Sequence, residues 1–359
     1  MSPTSDSTDP PTDAIREAFF TQAKWCRKLG SLFTARVCLA GFEILDRTSK
    51  TGALILDWTG NPAVDVDALA ARFAGAIHAM KLQGNCPALE RIFPPNEVSE
   101  SEFKAGLREA IAECDGAIAK WLELPPQTNE VARSAVLMAG LLHVSAQTGL
   151  PCALYELGTS AGLNLMVDHY GYQLGGLKTG NNGSKLQLSP QWEGPPAPSG
   201  NFQIAARCGV DIAPLDVTLH QDRLRLLAYI WADQPERLGR MRAAIDIARQ
   251  VPPQIDKASA EEWLETMLAK EPEEGICRVV MHTIAFHYFP ELAQEKILSL
   301  LENAGSRADA KHPLAWFRFD LDVSSNLGGA LNVRLWPDGT DQLLACADPH
   351  VKRIEWFKK

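Results

Sequence analysis

Glu156 and the five residues after Leu157 hold the side chains and spacing best suited to chemistry in this 359-residue chain. Glu156 closes an apolar run, Cys152 to Leu157, that meets a small-residue turn, Gly158-Thr159-Ser160-Ala161-Gly162. Gly158 and Gly162 allow a ligand to approach the backbone closely, and Thr159 and Ser160 add hydroxyls there. An acid beside such a turn can hold a ribose, an amine or a proton, or accept N–H groups of its own turn. The same turn also sets Ser160 at a sharp corner, where free N–H groups could steady an oxyanion beside a serine nucleophile.

Other candidates lie around this stretch. Gln127, Thr128, Asn129 and Glu130 are consecutive polar groups at a helix start. A cap needs only one or two of them, so the others are candidates for a polar wall: Gln127 and Thr128 toward substrate, Asn129 and Glu130 toward catalysis. Asn164 and Asp168 stand four apart and share a face of any helix after the turn, Asn164 toward a cofactor and Asp168 toward a substrate. Asp211 ends a second apolar run and is placed to accept ribose hydroxyls. His282 ends the run Cys277 to Ile284 and is the candidate general base or substrate orienter, with His287 a further substrate contact. His78 shares a helical stretch with Ile77 and belongs to packing. No His/Asp/Glu cluster has metal-ligand spacing, so no metal is expected.

These residues need a scaffold. Residues 1–13 are rich in Ser, Thr, Asp and Pro and read as a disordered tail. Residues 14–124 read as helical, with an Asp65/Asp67 cap region opening Ala68 to Leu82, a stop at Gly84, and a helix from Ser99 to Ala119. From 125 to 359 the pattern turns α/β. A buried helix, Val131 to Gln147, precedes the strand of Glu156, and a helix-like segment, Leu163 to Tyr170, follows the turn. After a Gly/Asn/Ser/Pro-rich insertion, 175–200, with Trp192 expected at the surface, strands near Phe202 to Val210, Pro252 to Ile255, Cys277 to Ile284 and Leu314 to Phe319 alternate with helices. A hairpin over Asn332 to Cys346 turns at Asp338-Gly339.

Composition narrows the function classes. A net charge of −9 disfavours nucleic-acid binding, which needs a basic surface. The eight cysteines show no CxxC pair and fit reduced thiols. No run has membrane-spanning length and no signal peptide is visible, so the expectation is a cytoplasmic protein with a small-molecule substrate, no membrane partner and an undetermined oligomeric state.

Glu156-Leu-Gly158-x-x-x-Gly162 resembles the first motif of S-adenosylmethionine-dependent methyltransferases. The closing hairpin looks like the last strands of their sheet. That resemblance implies that the α/β part, which follows the helical N-terminal domain, is Rossmann-like. Its cofactor would lie over Glu156, Gly158, Thr159, Ser160, Gly162 and Asn164, with the ribose near Asp211. The sequence departs from the pattern at Ser160, where many such enzymes have glycine, and at Lys257-Ala258-Ser259-Ala260, where they have Asp-Ala. Pro125 to Ser134 (PPQTNEVARS), Glu156 to Tyr170, Arg207 to Asp216 and Val280 to Thr283 resemble motifs of the uncharacterised bacterial family of domain of unknown function 2332, which carries no activity to transfer. Two alternatives stay open. One is a ligand-binding protein of this fold without turnover. The other is a GxSxG hydrolase using Ser160, Asp320 or Asp322, and His350. That fold needs strands ahead of its serine, where this chain offers helices.

Overall fold

A computed structural model describes residues 10–200 and 202–358. Contacts divide the chain into two compact units: residues up to Thr128 with His220–Gly239, and Asn129–Leu219 with Arg240–Lys359. The first nine residues of the expected tail lie outside the described residues, and a helix already begins at Pro10.

The first unit is built from α1 (Pro10–Lys28), α2 (Leu32–Ile44), α3 (Lys50–Leu56), α4 (Leu69–Gln83), α5 (Pro87–Ile92) and α6 (Glu100–Leu122). Phe19, Phe73, Ile77, Phe103 and Leu107 are buried at its centre, as helical spacing places them. Ser99 and Glu102 close a reciprocal capping box on α6. The Asp65/Asp67 cap does not form. Ala68, in the left-handed conformation, precedes α4, and Asp67 instead accepts the Trp58 indole N–H at 2.8 Å. His78 is buried, its Nδ1 3.1 Å from the Ala228 carbonyl and its ring stacked on Phe93.

The second unit opens with a short 3₁₀ turn, Val131–Arg133, and α7 (Ser134–Thr148). β1 (Cys152–Leu157) follows, then a 3₁₀ segment, Leu163–His169. β2 (Gly171–Leu174) leads into the insertion region, which holds β3 (Leu177–Gly180), β4 (Gln187–Leu188) and β5 (Gln191–Glu193). Next come β6 (Ile204–Asp211), α8 (His220–Ala228, within the first unit), α9 (Pro235–Gln250), β7 (Ile255–Lys257) and α10 (Ala260–Ala269). β8 (Cys277–Thr283), α11 (Glu291–Gly305), β9 (Leu314–Leu321), β10 (Gly329–Trp336), β11 (Thr340–Ala347) and β12 (Arg353–Trp356) complete the chain.

The large sheet runs β5-β12-β11-β10-β9-β8-β1-β6-β7. From β7 to β9 neighbouring strands are parallel, and β9 to β12 are antiparallel. Counted among the parallel strands alone, the order is 3-2-1-4-5, the arrangement that collects ligands at the carboxyl ends of strands. The fold is thus α/β, a helical N-terminal region with a large, mostly parallel sheet. Trp192 is half-buried rather than exposed, stacked on Trp356 at 5.7 Å with its Nε1 donating to the Pro195 carbonyl.

Strand register assigns every side chain to a face. Glu156 pairs with Gly209 on β6 and Met281 on β8, so Glu156, Asp211 and Thr283 share one face. α7 packs there, and a Cβ on its Gly140 would stand 2.6 Å from the Phe317 ring. Leu157, Val210, Val280 and Trp316 point the other way, into a core with Trp263 and Leu264 of α10 and Ile297 and Leu301 of α11. His282 and Asp320 fall on this second face.

Candidate functional site

Backbone geometry at the end of β1 explains why its turn is rich in small residues. Gly158 and Gly162 adopt φ of 66° and 70°, and Ser160 follows them into the left-handed region at 55°. For a residue with a Cβ that conformation costs about 1 kcal/mol, so outside contacts must hold it. Asp211 supplies one, its Oδ2 accepting the Ser160 N–H at 2.8 Å and its Oδ1 the Ala213 N–H at 2.9 Å. The Leu215 N–H, donating to the Ser160 carbonyl at 3.2 Å, supplies another, and Thr159 N–H donates to the Val210 carbonyl at 3.1 Å. Asp211, expected at a ribose, therefore also pins the turn.

Glu156 is 2 % exposed. Burial raises its carboxyl to about 8, opposed by the Thr159 hydroxyl that donates to it, reinforced by the charge of Asp211, and opposed again by Arg133 and the Asn164 side chain. Glu156 is then largely protonated at neutral pH. Arg133 is buried on the same face, its Nη1 donating to the Thr283 carbonyl at 2.9 Å and its Nε to the Pro349 carbonyl at 3.2 Å. Ser134 donates to Asn164 Oδ1 at 2.8 Å, and Asn129 Oδ1 accepts the Leu163 N–H at 3.0 Å. Glu130 accepts the Ala132 N–H at 3.2 Å as the cap of the 3₁₀ turn.

The helix expected after the turn is a seven-residue 3₁₀ segment, kinked at Met166. Asn164, Val167 and Asp168 are weak helix formers, and the segment is braced from outside instead. Tyr170 and Tyr172 hydroxyls donate to the Leu163 and Val167 carbonyls at 2.7 and 2.6 Å. Asn164 and Asp168 consequently do not share a face. Asn164 turns toward Ser134, whereas Asp168 takes both guanidinium arms of Arg207 at 2.5 and 2.6 Å. Ser160 Oγ is buried with no hydrogen-bond partner among the described residues.

The structure thus gathers Asn129, Glu130, Glu156, Gly158, Thr159, Ser160, Gly162, Asn164 and Asp211 around one turn. It places His282 on the opposite face. Gln127, half-buried, and Thr128, exposed, belong to the first unit. His287 is exposed, its ring 3.8 Å from that of Tyr288. Sequence reasoning passed over Arg133 and Ser134 as site residues, although both stand in the stretch PPQTNEVARS. It also passed over Gly209, whose missing side chain admits Thr159: a Cβ there would stand 2.8 Å from Thr159 Cγ2.

Beside the turn opens a groove of about 300 Å³ lined by Ala161, Pro214 to Thr218, Pro252, Pro253 and Ile255. Its walls are mostly apolar, with Asp216 and Thr218 exposed at its rim. Among the described residues, no group of three or more His, Cys, Asp or Glu could hold a metal ion, and no helix is long and apolar enough to cross a membrane. No curated protein matches the chain. Residues 16–356 match a bacterial family described as an uncharacterized protein conserved in bacteria, DUF2332, and the chain belongs to that family.

Proposed function

We propose that this protein binds S-adenosylmethionine and transfers its methyl group to a small molecule. The observation that carries the reading is the apolar groove at the glycine turn, at the carboxyl edge of a sheet whose parallel strands run 3-2-1-4-5. The residues fit the nucleoside part of the cofactor. The groove offers apolar walls for a flat base, and each oxygen of Asp211 keeps a second lone pair for a ribose hydroxyl. When bound, the cofactor supplies an electrophilic methyl group. The chain's part is to orient acceptor and cofactor and to exclude water. Glu156, protonated at neutral pH, can donate a hydrogen bond as well as accept one.

A second reading, ligand binding without turnover, is favoured by the extent to which Asn129, Glu130 and Asn164 are engaged with the protein's own groups. Calorimetric titration and melting with S-adenosylmethionine and its demethylated product test the first reading. Saturable heat and a raised Tm are expected, both reduced in Asp211→Asn. No heat and no shift with either compound rejects it.

A further inference from the structure

On the face opposite Glu156, the ends of β8 and β9 carry a second polar group that the cofactor reading does not use. His282 is 0 % exposed, and its Nδ1 lies 3.4 Å from Asp320 Oδ2. Neither ring nitrogen has a hydrogen-bond partner among the described residues, Nδ1 meeting Asp320 at ion-pair distance only, nor do Asp320 Oδ1 and Trp316 Nε1. Four unpartnered polar atoms in one buried cluster are costly if they only pack, since each forfeits its hydration. Around them the walls are aromatic. The Phe286 ring stacks on His282 with centroids 5.0 Å apart, Trp316 lies 6.0 Å away, and Phe289 meets Phe286 edge-on at 5.7 Å.

The cover over this cluster is light. Ala285 to Phe289 contains a single 3₁₀ turn, Phe286–Tyr288, with His287 and Tyr288 exposed. It leaves β8 through Ile284, held at φ 49°, which a β-branched residue rarely adopts. The same segment rests on the glycine turn, Ala285 and Phe289 facing the position a Gly158 Cβ would take. A movement of Ala285 to Phe289 would therefore uncover His282 and the turn together.

We propose that His282 and Asp320 form a general-base dyad, covered by Ala285 to Phe289, that takes the proton of a flat phenol-type acceptor. Asp320 Oδ2, the carboxylate oxygen facing Nδ1, favours the proton on that nitrogen and so leaves the Nε2 lone pair to accept another. The acceptor's O–H bond breaks, its electrons stay on the oxygen, and the proton moves to Nε2, giving an imidazolium beside the Asp320 carboxylate. Phe286, Phe289 and Trp316 receive the ring. The charged and titratable groups facing the dyad are His287 and Arg318. Arg318 lies 4.2 Å over the Trp316 ring and pairs with Asp341. This rests on the methyl-transfer reading only in calling the phenol an acceptor.

The test uses the full chain and 4-nitrophenol, whose ionised form absorbs visibly, at a pH where the free probe is mostly protonated. A saturable phenolate band is expected with the wild type, lost in His282→Gln and weakened in Asp320→Asn. It should be unchanged in His312→Gln, because His312 also faces an aspartate, Asp309 at 2.9 Å, but in an exposed loop. Circular dichroism accompanies each variant, and if His282→Gln does not fold, Asp320→Asn decides. No saturable band in the wild type, or one that survives these changes, overturns the dyad. Because the probe needs no cofactor, a band without S-adenosylmethionine binding keeps the dyad and removes only the methyl-transfer reading.

Discussion

Glu156 and His282 end adjacent parallel strands, yet their side chains leave the sheet in opposite directions and meet opposite treatment. On the α7 face most of the polar groups are tied to one another, with Ser160 Oγ and Asn164 Nδ2 left over among the described residues. Thr159 donates to Glu156, Arg133 bridges two backbone carbonyls, and Asp211 holds two N–H groups. On the α10/α11 face a histidine and an aspartate stand at ion-pair distance among aromatic rings, with several polar atoms left over. A paired network fixes a backbone, here the strained turn. An under-paired group in an apolar setting stabilises little and is better placed to exchange a proton.

The comparison breaks most readily at Arg133. Arg133→Met removes the donor from the carbonyls of Thr283 and Pro349, and each buried acceptor left unpaired costs on the order of 1–3 kcal/mol. A loss of about 3 kcal/mol in urea unfolding is expected, with Tm several degrees lower. His282→Phe puts a somewhat larger aromatic ring in the site and takes the nearby partner from Asp320, but Asp320 keeps partial access to water, so a smaller loss than at Arg133, about 1 kcal/mol, is expected. Equal losses in the two variants would erase the distinction between the faces.

Glu156 sharpens it through pH. Its folded value, about 8, lies above that of an ordinary glutamate. The folded protein therefore keeps a proton that the unfolded chain releases, and its stability falls as pH rises from the ordinary glutamate value to about 8. Within that window the slope approaches 1.4 kcal/mol per pH unit, on the order of one proton. Glu156→Gln has no proton to lose, so its advantage over wild type should widen from pH 5 to pH 8, measured by urea unfolding at several pH values. Parallel pH profiles would show that burial does not shift Glu156.

Much of the scaffold was legible from sequence, because strands buried on both faces and helices with apolar stripes write periodic signals. The runs Cys152 to Leu157 and Cys277 to Ile284 became neighbouring strands, and Asp338-Gly339 turned the hairpin. Asp211 reads as an acid at a strand tip in either setting, but its bonds to Ser160 and Ala213 depend on where the loop returns. The side of the sheet taken by His282 was not legible, since it follows from pairing register rather than from local pattern. Arg133 was hidden for a similar reason. Its partners, Thr283 and Pro349, lie 150 and 216 residues away, and backbone carbonyls leave no trace in residue type. The segment after the turn was misread because its apolar residues follow helical spacing while two tyrosines from beyond it set its shape.

A finer contrast lies within the α7 face, at Ser160, the one hydroxyl of the turn left unpaired among the described residues. Removing a buried hydroxyl that makes no bond relieves its lost hydration, so Ser160→Ala should gain about 1 kcal/mol while keeping the backbone cost of φ 55°. Ser160→Gly removes that backbone cost as well, about 1 kcal/mol, but adds unfolded-chain entropy of comparable size. The two variants should therefore lie close together and at or slightly above wild type in urea unfolding. Ser160→Ala falling more than about 1 kcal/mol below wild type would mean that the hydroxyl is engaged. Combined with fluorophosphonate labelling lost in that variant, this would move the turn from cofactor cradle to nucleophile. Unchanged stability and no labelling leave Ser160 as a residue the turn tolerates, its conformation set by Asp211 and Leu215.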